Sequence, residues 1–143
     1  MKQAQRNVLT FRVGSQWYGI GVEHVIEILN MVMLSEVPAS SPDLLGLMLL
    51  RNVVLPVIDL RLRFGIAQPE YRLDTPIITL RTEHSSVGMV VDEIDNVEHF
   101  GDEAITANLG AEFPFISGTA QLQGRILMLL NLSSLNVADT VLT

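Results

Sequence analysis

Between Val8 and Val13, hydrophobic positions alternate with polar ones, the pattern of a half-buried strand. Gly14-Ser15-Gln16 reads as a turn, and Trp17–Val22 resumes an extended pattern, so the two segments predict a hairpin. From Val22 the period changes. Val22, Val25, Ile26, Leu29 and Val32 follow i, i+3, i+4, i+7 spacing with Glu23, His24 and Glu27 between them, which predicts a short amphipathic helix. Ser41-Pro42-Asp43 resembles the first turn of another short helical segment, with Gly46 as its stop. Residues 49–65, LLRNVVLPVIDLRLRFG, then predict two strands joined around Arg51-Asn52, because asparagine tolerates the left-handed conformation of tight turns. Pro56 cannot donate to a ladder, so it predicts an edge, a bulge or a strand start. Residues 66–76 carry two prolines and read as a loop. Ile77–Arg81 and Val87–Val91 form a further strand pair. Asn96–Pro114 reads as a long polar loop, Ile126–Leu132 as the last strand, and a short helical tail begins near Ser133.

The chain also repeats itself. GLMLLRNVVLPVIDL (46–60) aligns without gaps on GTAQLQGRILMLLNL (118–132), 72 residues later, with Gly46, Leu50, Leu55 and Leu60 matched by Gly118, Leu122, Leu127 and Leu132. GIGVEHVIEI (19–28) aligns on GMVVDEIDNV (88–97), 69 residues later. Two matches in one order predict two similar β-units, about 8–65 and 77–135, within a single domain. In the second copy Gln123 replaces Arg51 and Met128 replaces Pro56. The repeated fold therefore demands neither the arginine nor the proline, and Arg51 stands out as a residue kept for a partner.

The 143 residues are 48% hydrophobic and 17% charged, enough to build a core and too apolar for a disordered tail. The longest apolar runs are far shorter than the roughly 20 residues that cross a bilayer, and no export signal is visible, so a soluble cytoplasmic protein is expected. The net charge is −7 and the basic residues are scattered, which argues against nucleic acid and against an anionic membrane surface as partners. Absence of cysteine excludes disulfides and thiol chemistry. His24, His84 and His99 stand apart, so no metal site is expected. No nucleophile elbow, phosphate loop or dinucleotide fingerprint occurs, and Asp92 and Asp95 read as a solvated acidic turn, not a catalytic pair. Neither catalysis nor a cofactor is expected. Binding through sheet edges, or through the seam between the units, is better supported.

The ordered set YGI (18–20), VEHVIEI (22–28), VP (37–38), G-x-x-x-L-R (46–51), LPVIDLRLRFG (55–65) and VGMVVDEIDNV (87–97) resembles the CheW family of bacterial chemotaxis coupling proteins. The resemblance runs from about Val8 to Leu135. It implies a mainly β fold of two five-stranded, SH3-like barrels packed together with short helices. It implies a non-catalytic adaptor linking the cytoplasmic tips of chemoreceptors to the regulatory domain of a CheA-type histidine kinase, recruited to membrane-associated receptor arrays. It places Arg51 beside the receptor groove, Val25 and Glu27 near the receptor on the helix after the YGI strand, and Val87 and Met89 on the opposite groove wall. Leu49 stands where the family usually has asparagine, and Asn52 where it has glycine, which fits a divergent array such as one serving twitching motility or surface sensing. The competing expectations are a small-ligand or enzymatic domain with a pocket between the units, and a self-associating ring component that binds no kinase.

Overall fold

The computed structural model describes residues 5–38, 41–66, 70–83, 85–107 and 115–135. Among them are eleven strands: β1 (Gln5–Val13), β2 (Gln16–Gly21), β3 (Val25–Asn30), β4 (Leu44–Leu50), β5 (Val53–Asp59), β6 (Pro76–Arg81), β7 (Ser86–Val90), β8 (Glu93–Gly101), β9 (Ile105–Ala107), β10 (Ile116–Leu122) and β11 (Arg125–Leu130). One four-residue helix, α1 (Leu60–Arg63), follows β5, with Asp59 as its N-cap accepting from the Arg61 N–H.

The strands form two sheets, in the orders β8-β1-β2-β11-β10-β9 and β3-β6-β7-β5-β4. Each half of the sequence repeat contributes to both. The first hairpin, β1–β2, sits between β8 and β11 of the second half, and the hairpin β6–β7 sits between β3 and β5 of the first. The units 8–65 and 77–135 are therefore interlocked and do not correspond to separate barrels. The repeat offsets reappear in the ladders. Gly19 is level with Leu129 in the parallel pair β2–β11, and Gly88 is level with Val57 in the pair β7–β5. The β4–β5 and β10–β11 hairpins carry the same irregularity, between Leu44 and Gly46 and between Ile116 and Gly118. Thr10 and Thr79, both fully buried, match as well. Thr10 Oγ1 accepts from the Asn96 N–H and donates to the Asn96 carbonyl, and Thr79 Oγ1 does the same with Glu27.

Each sheet rolls up because the chain leaving one edge strand returns to the other edge. After β8 the chain forms β9 on the outer side of β10, where Thr106 pairs with Thr119. After β3, Ser35 exchanges both backbone hydrogen bonds with Leu47 of β4. These are the two small barrels expected, one of five strands and the other of six instead of five. Leu55, Val57 and Ile77 fill the five-stranded one, and Val8, Ala120 and Leu127 the six-stranded one. A larger cluster fills the seam between them, with Leu9, Phe11 and Ile20 from one sheet and Ile58, Leu80 and Met89 from the other. Period-2 alternation explains the division, since odd and even positions of β1 face the seam and the barrel interior respectively.

Three expectations fail. The predicted helix from Val22 is a single 3₁₀ turn, Val22–His24, followed by β3. Val25 and Ile28 are β-branched and pair with β6, and that ladder outweighs a helical spacing carried by few residues. Gly46 is not a helix stop but lies inside β4 directly after a bulge at Leu45, with φ 154°, where a Cβ would lie 2.5 Å from the Ser35 carbonyl oxygen. The expected loop from Asn96 is strand β8, a 3₁₀ turn and β9 as far as Ala107, and residues 108–114 lie outside the described part.

Candidate protein-interaction site

The β4–β5 hairpin turns on two residues, Arg51 (φ 51°) and Asn52 (φ 67°), with Leu50 opposite Val53. Positive φ at both positions matches the twist of the flanking strands. Gln123 (φ 51°) and Gly124 (φ 78°) turn the β10–β11 hairpin in the same way, so this backbone belongs to the repeat and not to Arg51 alone. What distinguishes Arg51 is its side chain. It is 77% exposed, and its Nη2 lies 3.1 Å from Glu27 Oε1, an ion pair without hydrogen-bond alignment. Glu27 is held in place at the irregularity of β3 by its two backbone hydrogen bonds to Thr79 Oγ1.

Beside this pair opens a cleft of about 170 Å³ with an apolar floor of Ile26, Leu50, Val53 and Leu55. Exposed Arg51 and Arg81 stand at its rim, with Ser86 on β7 opposite Arg81. On the outer face of the hairpin Leu49 and Val54 oppose each other and are both well over half exposed. Apolar side chains left in water next to charged groups are the composition of a protein-binding surface.

The structure thus brings Glu27 and Arg51 together and leaves the other expected residues elsewhere. Val25 is half-buried and packs against the seam. Val87 and Met89 do lie in the seam between the barrels, but on its closed side, with 1% and 0% exposure, so neither side chain offers a surface to a partner. Strand alternation points both inward, and sequence alone leaves open which face of β7 the second barrel covers. Ile26, Arg81 and Ser86 were not anticipated. They lie on the neighbouring strands β3, β6 and β7, and only barrel closure, β3 against β4, brings them beside Leu50 and Arg51.

The sequence reading also missed a buried charge network. Arg61 is 3% exposed and Asp59 0%. Arg61 grips Asp59 with Nε and Nη2, both at 3.0 Å, and its Nη1 donates to Asp92 Oδ1 at 3.1 Å and to the Glu70 carbonyl at 2.8 Å. Tyr71 Oη donates to Asp59 Oδ2 at 2.5 Å, and the guanidinium lies 5.0 Å from the Tyr71 ring centroid. Asp92 Oδ2 accepts from the Gly14 N–H at 2.7 Å, so the network ties the β1–β2 turn of one barrel to α1 of the other. Burial disfavours the Arg61 cation, but the hydrogen bonds and charges of Asp59 and Asp92 outweigh it and hold its pKa above the ordinary value. Burial, then the Asp59 carboxylate, pushes the Tyr71 phenol up to about 12. Asp92 is therefore drawn into this network and not left in a solvated turn, whereas Asp95 is exposed on β8. Asp95 pairs with Arg125 at 2.6 Å, and that hydrogen bond draws its carboxyl below the ordinary range. With each carboxylate committed to its own arginine, the two share no proton.

Among the described residues no three His, Asp or Glu side chains gather as a metal site, and no helix is long and apolar enough to cross a membrane. A concavity of about 440 Å³ lies along β1 and β2 beside Arg6, His24 and Asp102, with Ile20 and Leu130 of the seam cluster in its lining.

The geometry is that of an interlocked double-barrel β domain with an apolar, arginine-rimmed barrel end. A family model of the CheW-like domain matches residues 7–138, and the chain belongs to that family. It is 29% identical over 133 residues to the chemotaxis protein CheW of Rhizobium meliloti (strain 1021), covering 90% of this chain and 86% of that protein. It is 31% identical over 134 residues to the chemotaxis protein CheW of Klebsiella aerogenes, covering 89% of this chain and 79% of that protein. The fold matches the crystal structure of the scaffolding protein TtCheW from Thermoanaerobacter tengcongensis with a TM-score of 0.83 over 90% of each chain, at 23% identity.

Proposed function

We propose that this chain is a non-catalytic adaptor of the bacterial cytoplasm, coupling chemoreceptor tips to the regulatory domain of a CheA-type histidine kinase within receptor arrays. Family membership supports the adaptor class. The observation that carries the site assignment is the exposed Arg51 guanidinium, held beside Glu27 at the mouth of an apolar cleft. A cation at the edge of an apolar surface offers a charge-assisted hydrogen bond to an acidic receptor residue, while the apolar floor supplies affinity. Glu27 belongs to the same reading as the partner of the Arg51 guanidinium, whereas Val25, Val87 and Met89, expected at the receptor, pack in the seam and are not carried into it. The departures at Leu49 and Asn52 fit a divergent array, such as one for twitching motility, since Leu49 adds exposed apolar surface at the hairpin where the family usually carries an amide. The test is Arg51→Glu. The variant is expected to fold normally, to retain binding to the kinase regulatory domain in pull-down, and to lose at least about tenfold in co-sedimentation with receptor-bearing membranes. Undiminished recruitment would remove Arg51 from the receptor contact.

A further inference from the structure

The two barrels are built on one pattern, and they differ most at the cleft. Every lining residue of the cleft has a counterpart in the other barrel at the repeat offset of 69 or 72 positions. There, Arg12 is opposite Trp17 across β1–β2, as Arg81 is opposite Ser86 across β6–β7. Leu122 and Leu127, the counterparts of Leu50 and Leu55, belong with Trp17 to one apolar cluster. Arg125, the counterpart of Val53, lies with its guanidinium 4.4 Å from the Trp17 ring centroid and pairs with Asp95, the counterpart of Ile26. In the six-stranded barrel an indole, stacked under an arginine, thus covers the ground that the cleft leaves open.

Pro56 takes part in this difference. The parallel pair β2–β11 includes Trp17 level with Leu127 and Tyr18 level with Met128. The corresponding pair β5–β7 begins only at Val57 level with Gly88. Pro56 stands where Met128 stands and has no N–H to extend that ladder, so the two positions next to Ser86 and Val87 stay unpaired. A serine in place of the tryptophan and a proline in place of the methionine open one barrel end and not the other.

We propose that the cleft beside Ser86 is a socket for an aromatic side chain, foremost a tryptophan, presented by a protein partner with a carboxylate next to it. The internal counterpart places an indole against the equivalent leucines, Leu122 and Leu127, in this same fold. The rim selects the neighbour. Arg51, Arg81 and Glu27 leave a net positive mouth on a chain of net charge −7, and Arg81 makes no ion pair among the described residues. An arginine over an indole face adds attraction beyond burial. The assignment rests on the adaptor reading, in which this cleft faces the receptor, so the aromatic and its carboxylate are the receptor's.

Two measurements test it. The first uses Ser86→Trp in a Trp17→Phe background, so that the new indole is the only one. Its emission is expected to be blue-shifted and protected from acrylamide, with no loss of thermal stability relative to Trp17→Phe. A solvent-exposed emission would show that no indole fits and overturn the proposal. The second titrates the full chain with the peptide acetyl-Glu-Trp-Glu-amide, with acetyl-Glu-Leu-Glu-amide as control, read by amide NMR shifts. Saturable shifts at Arg81, Ser86 and Val53 are expected, at least fivefold tighter for the tryptophan peptide and weakened at least tenfold by Ser86→Trp. Equal binding of both peptides, or no shift at those amides, overturns the proposal. A dimer of the chain that Ser86→Trp dissolves would place a second copy in the cleft instead and also overturns it. Loss of receptor recruitment by Arg51→Glu is read separately, so failure of the adaptor reading and failure of the socket are told apart.

Discussion

Arg61 Nη2 lies 3.0 Å from Asp59 Oδ2 where water reaches almost none of either side chain. Such a pair is costly to break from one side, because the remaining charge stays buried without its partner. Arg61→Met is expected to lower unfolding free energy by about 3–5 kcal/mol, read by urea denaturation. Arg61→Lys should fall between the two, since an ammonium keeps the charge but cannot grip the carboxylate with two parallel bonds. A loss under about 1 kcal/mol for Arg61→Met would mean that the network contributes little to holding the barrels together.

Tyr71 makes the same network sensitive to alkali. Its pKa is raised to about 12, so the folded state holds the phenolic proton more tightly than the unfolded chain, where it leaves near 10. The stabilisation is complete below the unfolded value and is lost as pH rises through the window from about 10 to 12. Denaturation midpoints measured across that window should fall with pH, and Tyr71→Phe should reduce the fall. An unchanged slope in the variant would assign the alkaline loss to other groups.

Gly19 and Gly88 occupy equivalent places but differ in room. A Cβ at Gly19 would lie 2.5 Å from Val8 Cγ1, whereas at Gly88 the nearest atoms, Val57 Cγ2 and Ile77 Cγ2, are 3.1 and 3.2 Å away. Gly19→Ala is expected to destabilise by about 1–3 kcal/mol through overpacking, and Gly88→Ala by less. Thermal melts of the two variants should rank in that order, and the reverse ranking would contradict the packing described.

Arg51 holds a left-handed backbone that asparagine accepts more readily, and Asn52 holds one that glycine prefers. The double change Arg51→Asn with Asn52→Gly should raise stability by about 1 kcal/mol while weakening receptor recruitment, because an exposed ion pair contributes little to the fold. A rise in melting temperature together with a drop in co-sedimentation would separate the side chain's binding role from its folding role. If both rise, Arg51 is not the receptor contact.

Much of the architecture was legible because strand period, turn chemistry and the repeat are local signals. Gly14-Ser15 and Arg51-Asn52 turn where their residue types predict, and the offsets of 69 and 72 reappear as ladder registers. The helix assigned from Val22 was not, since a four-point helical spacing also fits a β-branched strand once β6 lies beside it. Of the candidate site, Arg51 and Glu27 could be named from the family motif, but their contact could not. They are 24 residues apart, on strands that meet only when the sheet rolls up.

By itself the sequence determined most of the hairpins, their turns and the duplication, because these follow from side-chain period and composition, while β3, β8 and β9 escaped it. Only the tertiary structure decided which hairpin enters which sheet. A strand edge offers the same backbone donors and acceptors to every partner, and the choice is made by which faces bury together. That choice closed Val87 and Met89 into the seam, buried Arg61 on Asp59, and left one barrel end without the tryptophan that covers the other.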